Sequence, residues 1–294
     1  MSLTDTQIKN LETKANDIRM SILEMLVAAG SGHTAGPLGM ADIFTAMYFH
    51  ILNHDPKNPD WANRDRLILS NGHIVPVRYA AMAHAGYFPV SELGTLRKFG
   101  SRLQGHPERH ALPGLENTSG PLGSGLSQAI GMALGLRMDG GAPSPSGRAG
   151  EGMHVFPKPH VYCLMSDGEL NEGNSWEAIM FAGKERLNNL TAIIDRNNIQ
   201  IDGMTEDIMP LEPLADKWKA FNWHVIEIDG HNFNEIVDAV NQAKTIAEKP
   251  TVIIAHTIPG KGIPEIEGDY KWHGTPPNQE QGAKWIKELR VLSR

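Results

Sequence analysis

Two short segments contain the side chains best suited to binding a metal ion and a phosphate. Asp167 and Gly168 lie just after one apolar run, and Asn197 and Ile199 lie just after the next. Asp167 offers a carboxylate oxygen, Asn197 an amide oxygen and Ile199 a backbone carbonyl. Oxygen ligands of this kind suit Mg²⁺ or Ca²⁺ that also binds a diphosphate. Gly168 allows close backbone approach to a phosphate, and the helix predicted after it favours an anion.

Each segment taken alone has an ordinary interpretation. Asp-Gly and Asn-Asn are common turn dipeptides, and either can occur in an α/β protein that binds no cofactor. Asn197 lies 30 residues after Asp167, and the pair at this spacing is more specific than either segment. We therefore treat the two segments as one predicted site.

Four histidines lie in glycine-containing turns: His33, His73, His106 and His273. A neutral imidazole can hydrogen-bond a sugar hydroxyl or move a proton near pH 7. Each histidine taken singly is more typical of a surface or capping residue. The four histidines lack the spacing of zinc ligands, which argues against metal binding by the imidazoles themselves.

Short apolar runs predict the strands that position these residues, at 66–70, 161–165, 190–194, 224–228 and 251–255. Helical spacing of apolar residues predicts helices at 8–26, 40–51, 175–187, 232–247 and 279–292. The first helix should end near Gly30. Alternating helices and continuously apolar strands predict an α/β fold, a doubly wound, mostly parallel sheet with helices on both faces. Ligands in such folds bind beyond the carboxyl ends of the strands, where both segments lie.

Residues 139–159 depart from this alternation. The segment is rich in glycine and proline and has little periodicity, which predicts a flexible loop inserted before the strand at 161–165. The sequence contains no internal repeat and no evident domain boundary. We therefore expect one domain over residues 1–294.

Composition excludes several classes of protein. The 294 residues have a formal net charge of −7, so no nucleic-acid or anionic-membrane surface is expected. Cys163 is the single cysteine, which rules out an intrachain disulfide. The N-terminus is amphipathic, and no apolar run approaches the roughly 18 residues that span a bilayer. These features predict a cytoplasmic protein.

The motifs, taken in order, resemble the transketolase family. The central match is Asp-Gly-Glu-Leu-Asn-Glu-Gly at 167–173, followed by Asp-Arg-Asn-Asn-Ile-Gln-Ile-Asp-Gly at 195–203. The histidine loops of the family are similar to residues 31–39, 63–73, 105–108 and 272–277, with Thr34 a minor variation. The loop that packs on the family's cofactor is similar to residues 118–126.

This resemblance implies transfer of a two-carbon ketol unit from a ketose to an aldose, with thiamine diphosphate and a divalent metal as cofactors. It assigns the metal to Asp167, Asn197 and the carbonyl of Ile199. It assigns catalytic roles on the substrate to His33, His73, His106 and His273. Cofactor contacts are implied for His73, Gly120, Pro121, Leu122, Gly168, Glu169, Asn197 and His273.

One position departs from the family pattern. Ser166 stands where the family has the first glycine of its Gly-Asp-Gly motif. The serine side chain can either crowd the turn or donate a hydrogen bond to a phosphate, and the sequence does not decide between them.

The resemblance also implies a partner. It covers nearly the whole chain, yet a complete transketolase is about twice as long. We therefore expect a separate C-terminal subunit with the pyrimidine-binding domain, which would supply the glutamate that activates the cofactor. Two copies of each chain would form an α2β2 heterotetramer. The expected substrates are sugar phosphates.

Two alternatives remain open. The chain could be an α-type subunit of another thiamine diphosphate enzyme, such as a 2-oxo acid dehydrogenase or a deoxyxylulose-phosphate synthase. The set of histidine loops favours transketolase over these. It could also be a non-catalytic cofactor-binding subunit, but such a protein would have no chemical need for the histidines and the metal ligands.

Overall fold

The computed structural model of the chain describes residues 3–139 and 159–292. A five-stranded parallel sheet lies at its centre, and a two-stranded antiparallel hairpin lies apart from it. In chain order the strands are β1 (Arg66–Leu69), β2 (Val161–Ser166), β3 (Leu190–Arg196), β4 (Ile199–Gln200), β5 (Gly203–Met204), β6 (His224–Asp229) and β7 (Thr251–His256). The main sheet has the order β1-β2-β3-β7-β6. The predicted α/β class and parallel sheet are confirmed.

Helices cover both faces of this sheet. They are α1 (Asp5–Ala29), α2 (Ala35–Gly39), α3 (Ala41–Ala46), α4 (Val75–His84), α5 (Ser124–Asp139), α6 (Gly173–Glu185), α7 (Thr205–Ile208), α8 (Leu214–Ala220), α9 (Phe233–Thr245) and α10 (Gln279–Leu292). Helices α1, α3, α4 and α9 build the core on one face, and α5, α6 and α8 build the core on the other. This confirms the prediction of helices on both faces. Within the described ranges, no helix is both long and apolar enough to cross a membrane.

The first helix begins and ends at residues suited to those positions. The Thr4 side chain accepts a hydrogen bond from the backbone of Gln7, whose own side chain accepts one from the Thr4 backbone. Such a capping box satisfies backbone donors that the first helical turn leaves free. Gly30 has a left-handed φ of 62° and donates its N–H to the Leu26 carbonyl at 2.9 Å. The predicted end near Gly30 is confirmed.

Helix α4 is an element that the sequence does not predict. Residues 75–83 of this helix are all buried, so its apolar side chains point in every direction. A helix that is buried on all sides lacks the 3.6-residue alternation of apolar and polar positions by which an amphipathic helix is recognised. In the folded chain it packs against α1, α2 and α3, and Nη2 of Arg78 donates to the Leu67 carbonyl of β1 at 2.9 Å.

The sheet brings distant segments of the chain to one edge. Because β1, β2, β3 and β7 are parallel neighbours, their carboxyl ends meet on the same side. The register pairs Ser166 of β2 with Asp195 of β3, and Arg196 of β3 with His256 of β7. The segments that follow these strands therefore lie side by side.

The predicted glycine- and proline-rich loop falls between α5 and β2. Helix α5 extends through Asp139, and β2 begins at Val161. Residues 140–158 of the predicted loop lie outside the described residues.

Candidate active site

Three histidines from distant parts of the chain form a compact triangle at the edge of the sheet. The ring centroids of His33 and His73 lie 4.7 Å apart, and those of His33 and His273 lie 5.4 Å apart. The third side, from His73 to His273, is 5.2 Å. The fold thus brings together three of the four histidines that the sequence singled out.

Each histidine is presented by a short turn. His33 lies between α1 and α2, next to Gly32, whose φ of 130° disfavours any residue with a side chain. His73 lies in a 3₁₀ turn after β1, and His273 directly follows another. The Thr34 hydroxyl donates a hydrogen bond to the Thr275 carbonyl at 2.6 Å. This bond ties the first histidine loop to the last.

The fourth histidine, His106, lies beside this triangle. We call the four histidines, together with Asn71 and Ser119, the histidine wall. A Cβ built on Gly72 would lie 3.2 Å from Cδ2 of His106 and 2.5 Å from Oγ of Ser119. Only glycine therefore fits at Gly72 without displacing these neighbours. His106 and Ser119 pack against the turn that presents His73.

Burial keeps these imidazoles neutral. It lowers the pKa of His33 to about 4, with further lowering by the neighbouring His273, Arg97 and His106. Burial is also the main cause that lowers the pKa of His73, His106 and His273. A neutral imidazole has one nitrogen that donates and one that accepts a hydrogen bond. The wall can therefore both donate to and accept from a bound hydroxyl at neutral pH.

Several polar atoms in this wall are buried without a partner. Among the described residues, Nδ1 of His33, Nδ1 of His273, both side-chain polar atoms of Asn71 and Oγ of Ser119 have no hydrogen-bond partner. Buried polar groups in native proteins are almost always paired. The hydrogen bonding of these enclosed atoms is therefore left unmade within the described part of the chain.

The predicted cofactor loop lies before α5. Gly120 is partly buried, and Pro121 and Leu122 are exposed. The next residue, Gly123, has a φ of 77° and donates its N–H to Oε1 of Glu169 at 3.2 Å. The loop is thus attached to the end of β2 while its exposed residues remain available for contact.

Glu169 lies beneath this loop rather than on its surface. The residue is fully buried, and its carboxylate also accepts hydrogen bonds from the Ser70 hydroxyl and from the Ser166 N–H at 3.3 Å. Burial raises its pKa to about 7. Glu169 connects the ends of β1 and β2 to the predicted cofactor loop from within the protein.

Asp167 lies at the end of β2 and is fully buried. Its Oδ1 accepts the Gly168 N–H at 2.7 Å. Its Oδ2 accepts the Asn198 N–H at 2.7 Å and Nη1 of Arg196 at 3.0 Å. Burial raises the pKa of Asp167, whereas Arg196 and the two backbone donors oppose that rise. These contacts fix the carboxylate beside the segment that follows β3.

Asn197 is oriented by its neighbours in that segment. Its Nδ2 donates to Oδ2 of Asp195 at 2.8 Å, and its Oδ1 accepts the Ile199 N–H at 3.0 Å. Asp195 is in turn hydrogen-bonded by the Thr257 hydroxyl. The amide is thus held with its oxygen toward Ile199, which defines which end of the side chain can act as a ligand.

The donors present fit a hard divalent cation. Asp167, Asn197 and Ile199 supply a carboxylate, an amide and a backbone carbonyl, and the Asn198 N–H bond to Asp167 shows that the two segments meet. The described residues contain no cluster of three His, Cys, Asp or Glu side chains that could hold a metal. A site with one carboxylate leaves several positions of an octahedral ion for phosphate oxygens and water, as is usual for Mg²⁺.

Ser166 does not disturb the turn in which it replaces a glycine. The residue is buried, and the following Asp167 N–H still donates to the Asp195 carbonyl at 3.1 Å. The backbone of the turn is therefore intact with a serine present. A Cβ on Gly168 would lie 3.3 Å from Cγ of Gln200, so Gly168 itself is closely packed.

Sequence reasoning missed four contributors to the site. Asn71 and Ser119 stand within the family motifs, but the sequence assigned them no role. Thr34 looked like a minor variation, although it joins two histidine loops. Arg196 was part of the metal segment, but nothing in its spacing indicated that its side chain binds Asp167.

Residues 11–290 match the family described as transketolase, thiamine diphosphate binding domain. The chain is 44% identical over 287 residues to the 6-deoxy-6-sulfo-D-fructose transketolase subunit of Clostridium sp. (strain MSTE9), covering 98% of each chain. It is 36% identical over 283 residues to a subunit of the apulose-4-phosphate transketolase of Phocaeicola vulgatus, covering 96% of this chain and 95% of that relative.

Solved transketolases have the same fold over part of their length. The Pichia stipitis enzyme in complex with sedoheptulose 7-phosphate superposes with a TM-score of 0.87 at 33% identity. The match covers 97% of this chain and 41% of the Pichia chain. Since the family match and both subunit relatives extend over nearly the whole sequence, the chain belongs to the transketolase family, as its thiamine diphosphate binding domain.

Proposed function

We propose that this chain is one subunit of a two-subunit transketolase that moves a two-carbon ketol unit from a ketose to an aldose. The supporting observation is that the histidine triangle and the Asp167–Asn197 site lie at one edge of the sheet. One group of residues suits a sugar and the other a metal diphosphate. The subunit names of the relatives support a separate partner chain.

In this proposal the segments that follow β2 and β3, which we call the metal edge, hold the diphosphate. Asp167, Asn197 and the carbonyl of Ile199 bind Mg²⁺ or Ca²⁺, while Gly168 offers its backbone to the phosphates. Bound thiamine diphosphate supplies the carbanion and the electron sink that cleavage and formation of the C–C bond require. Gly120, Pro121 and Leu122 contact the cofactor from the loop that Glu169 fastens. His73, at the end of β1, contacts both cofactor and sugar.

The histidine wall acts on the sugar. The close grouping of His33, His73 and His273 supports roles in hydrogen-bonding and proton transfer at the substrate hydroxyls. His106, packed on the turn of His73, is placed to contact the first hydroxyls of the donor. Burial keeps all four imidazoles neutral, so each ring has one nitrogen that can donate a hydrogen bond and one that can accept it.

The substrates we propose are anionic ketoses, in the first instance sugar phosphates. The two subunit relatives are named for a sulfonated hexose and for apulose 4-phosphate, so a sulfonate is the second class to test. The assembly we propose contains two copies of this chain and two of a pyrimidine-domain subunit, because twofold symmetry is the usual arrangement of such complexes.

The test is reconstitution. The chain is purified alone and together with the partner subunit, and each preparation is assayed with a panel of phosphorylated, sulfonated and uncharged ketose donors. We expect activity only from the pair, and light scattering should give the mass of an α2β2 assembly. Robust ketol transfer by this chain alone would contradict the two-subunit proposal. A pair that binds thiamine diphosphate yet transfers no ketol unit from any donor would contradict the proposed reaction.

A further inference from the structure

Arg196 is a buried cation shared by three carboxylates at the metal edge. Its Nη1 donates to Oδ2 of Asp167 at 3.0 Å. Its Nη2 donates to Oε1 of Glu206 at 2.6 Å and to Oε1 of Glu212 at 2.9 Å. The side chain is only 3% exposed. Both terminal nitrogens of this guanidinium are therefore hydrogen-bonded to carboxylates.

The contact with Asp167 determines how that carboxylate is presented. Oδ2 already has two donors, Arg196 and the Asn198 N–H, whereas Oδ1 has only the Gly168 N–H. Oδ1 is therefore the oxygen with more free capacity to bind a cation. The carboxylate is fully buried, and an ionised carboxylate in such a place needs a partner charge. Arg196 is that partner within the chain.

The other two carboxylates keep the guanidinium in place. Glu206 lies in α7 and Glu212 in the loop before α8, and their side chains are 37% and 58% exposed. They do not depend on Arg196 for solvation, so their effect is to hold Nη2 while Nη1 reaches Asp167. The planar fork of arginine can bind in two directions at once, which the single ammonium of lysine cannot do in the same geometry.

We propose that Arg196 is a positioning residue for the metal site. It holds the Asp167 carboxylate with Oδ1 turned toward the cation, so that the site is formed before metal and diphosphate arrive. The inference rests on the proposed function, because it takes Asp167 as the metal ligand. Removal of a group that orients a metal ligand typically lowers the metal affinity by about 10–100-fold.

The experiment measures metal affinity rather than turnover alone. Arg196→Met and Arg196→Lys are prepared in the complex with the partner subunit. Binding of Mn²⁺ in the presence of thiamine diphosphate is followed by electron paramagnetic resonance. We expect the affinity for Mn²⁺ to fall by about 10–100-fold in R196M. The fall should be smaller in R196K, because lysine keeps the positive charge although it lacks the planar guanidinium.

Arg64 provides a matched control. It forms a comparable pair with Glu116, at 2.8 and 2.9 Å, near the amino end of β1 and so at the opposite edge of the sheet. Arg64→Met and Arg196→Met should both lower the melting temperature. Only Arg196→Met should lower Mn²⁺ affinity.

Three outcomes separate the possible failures. Equal Mn²⁺ affinity in the wild type and R196M, or tighter binding in R196M, would overturn the role of Arg196. Loss of affinity by the same factor in R64M would also overturn it, because the effect would then be one of stability. A wild-type complex that binds thiamine diphosphate without any divalent ion would instead overturn the proposed metal site.

Discussion

The two halves of the site differ in how far the chain satisfies its own polar groups. At the metal edge, both oxygens of Asp167 and both polar atoms of Asn197 are hydrogen-bonded within the protein. At the histidine wall, Nδ1 of His33 and Nδ1 of His273 are buried with no partner among the described residues. The polar groups of the first half are paired within the chain, whereas the second half contains buried polar atoms without a partner among the described residues.

Charge explains this difference. A buried carboxylate costs several kcal/mol unless it is paired, so the metal ligands need compensation before any cofactor binds. A neutral imidazole with one unmade hydrogen bond costs only about 1–3 kcal/mol, which the fold can tolerate. Substitutions in the two halves should therefore separate cofactor binding from turnover, and the following predictions test that separation in order of decreasing effect.

The largest effect is expected at the histidine wall. His33→Ala and His273→Ala should each lower kcat/KM by about 10²–10⁴-fold, the usual contribution of a single acid or base. The affinity for thiamine diphosphate should stay within a few-fold of the wild type, since the metal edge is intact. Steady-state kinetics and calorimetry on the reconstituted complex measure the two quantities. If these variants lost cofactor affinity but kept normal turnover at saturating cofactor, the proposed role of the two histidines on the substrate would be wrong.

At the metal edge the opposite pattern is expected. Asp167→Ala removes the single carboxylate of the proposed metal site, and the diphosphate loses its bridge to the protein. Calorimetry should show the affinity for thiamine diphosphate with Mg²⁺ falling by an order of magnitude or more, because loss of a charged ligand costs several kcal/mol. Unchanged affinity would mean that the Asp-Gly segment is only a turn.

A smaller effect is expected where the two histidine loops are joined. Thr34→Val removes the hydroxyl that donates to the Thr275 carbonyl at 2.6 Å and changes the volume little. One such bond contributes about 0.5–1.5 kcal/mol, so kcat/KM should fall about two- to tenfold. Thr34→Ser, which keeps the hydroxyl, serves as the control. A Thr34→Val variant with the kcat/KM of the wild type would show that this hydrogen bond does not matter to the site.

The smallest effect concerns the protonation of the wall. Arg97 contributes to the lowering of the pKa of His33 to about 4, so Arg97→Gln should raise that pKa. The folded protein favours the neutral form of His33, so this ring becomes protonated only when the pH falls through its lowered pKa. The wild-type His33 should therefore stay neutral down to about pH 4.

The measurement is an NMR titration of the imidazole C2 proton. We expect the His33 midpoint to move upward by a fraction of a pH unit in R97Q. Lys98→Gln removes the same charge from the next residue, which is not among the causes of the His33 shift, and should leave the midpoint in place. A midpoint near 6.5 in the wild type would show that the wall is solvated rather than buried.

The sequence was sufficient for the five strands of the main sheet and for the segments that follow two of them. Apolar runs predicted all five strands of the main sheet. The edge strand β6 is mostly half-buried or exposed, whereas the central strands β2, β3 and β7 are buried almost throughout, as expected for strands covered on both faces. Asp167 and Asn197 could be placed because each directly follows such a strand, and parallel strands end at one edge. Local rules of this kind need no knowledge of the rest of the chain.

Other features became visible only in the tertiary structure. Helix α4 has no periodicity because its position buries every side of it. The histidine triangle joins residues from three separate loops, and their pKa values fall because the fold removes them from water.

Two motif residues, Glu169 and Arg196, have side-chain partners that the sequence does not predict. The family resemblance implies a cofactor contact for Glu169, and its carboxylate lies inside the protein, where it accepts the Gly123 N–H. Arg196 binds Asp167, a residue 29 positions earlier in the chain. Sequence spacing determined which residue types stand at the ends of the strands. Only packing decided which way each side chain turns, because that depends on which partner from a distant segment can satisfy its charge or hydrogen bonds.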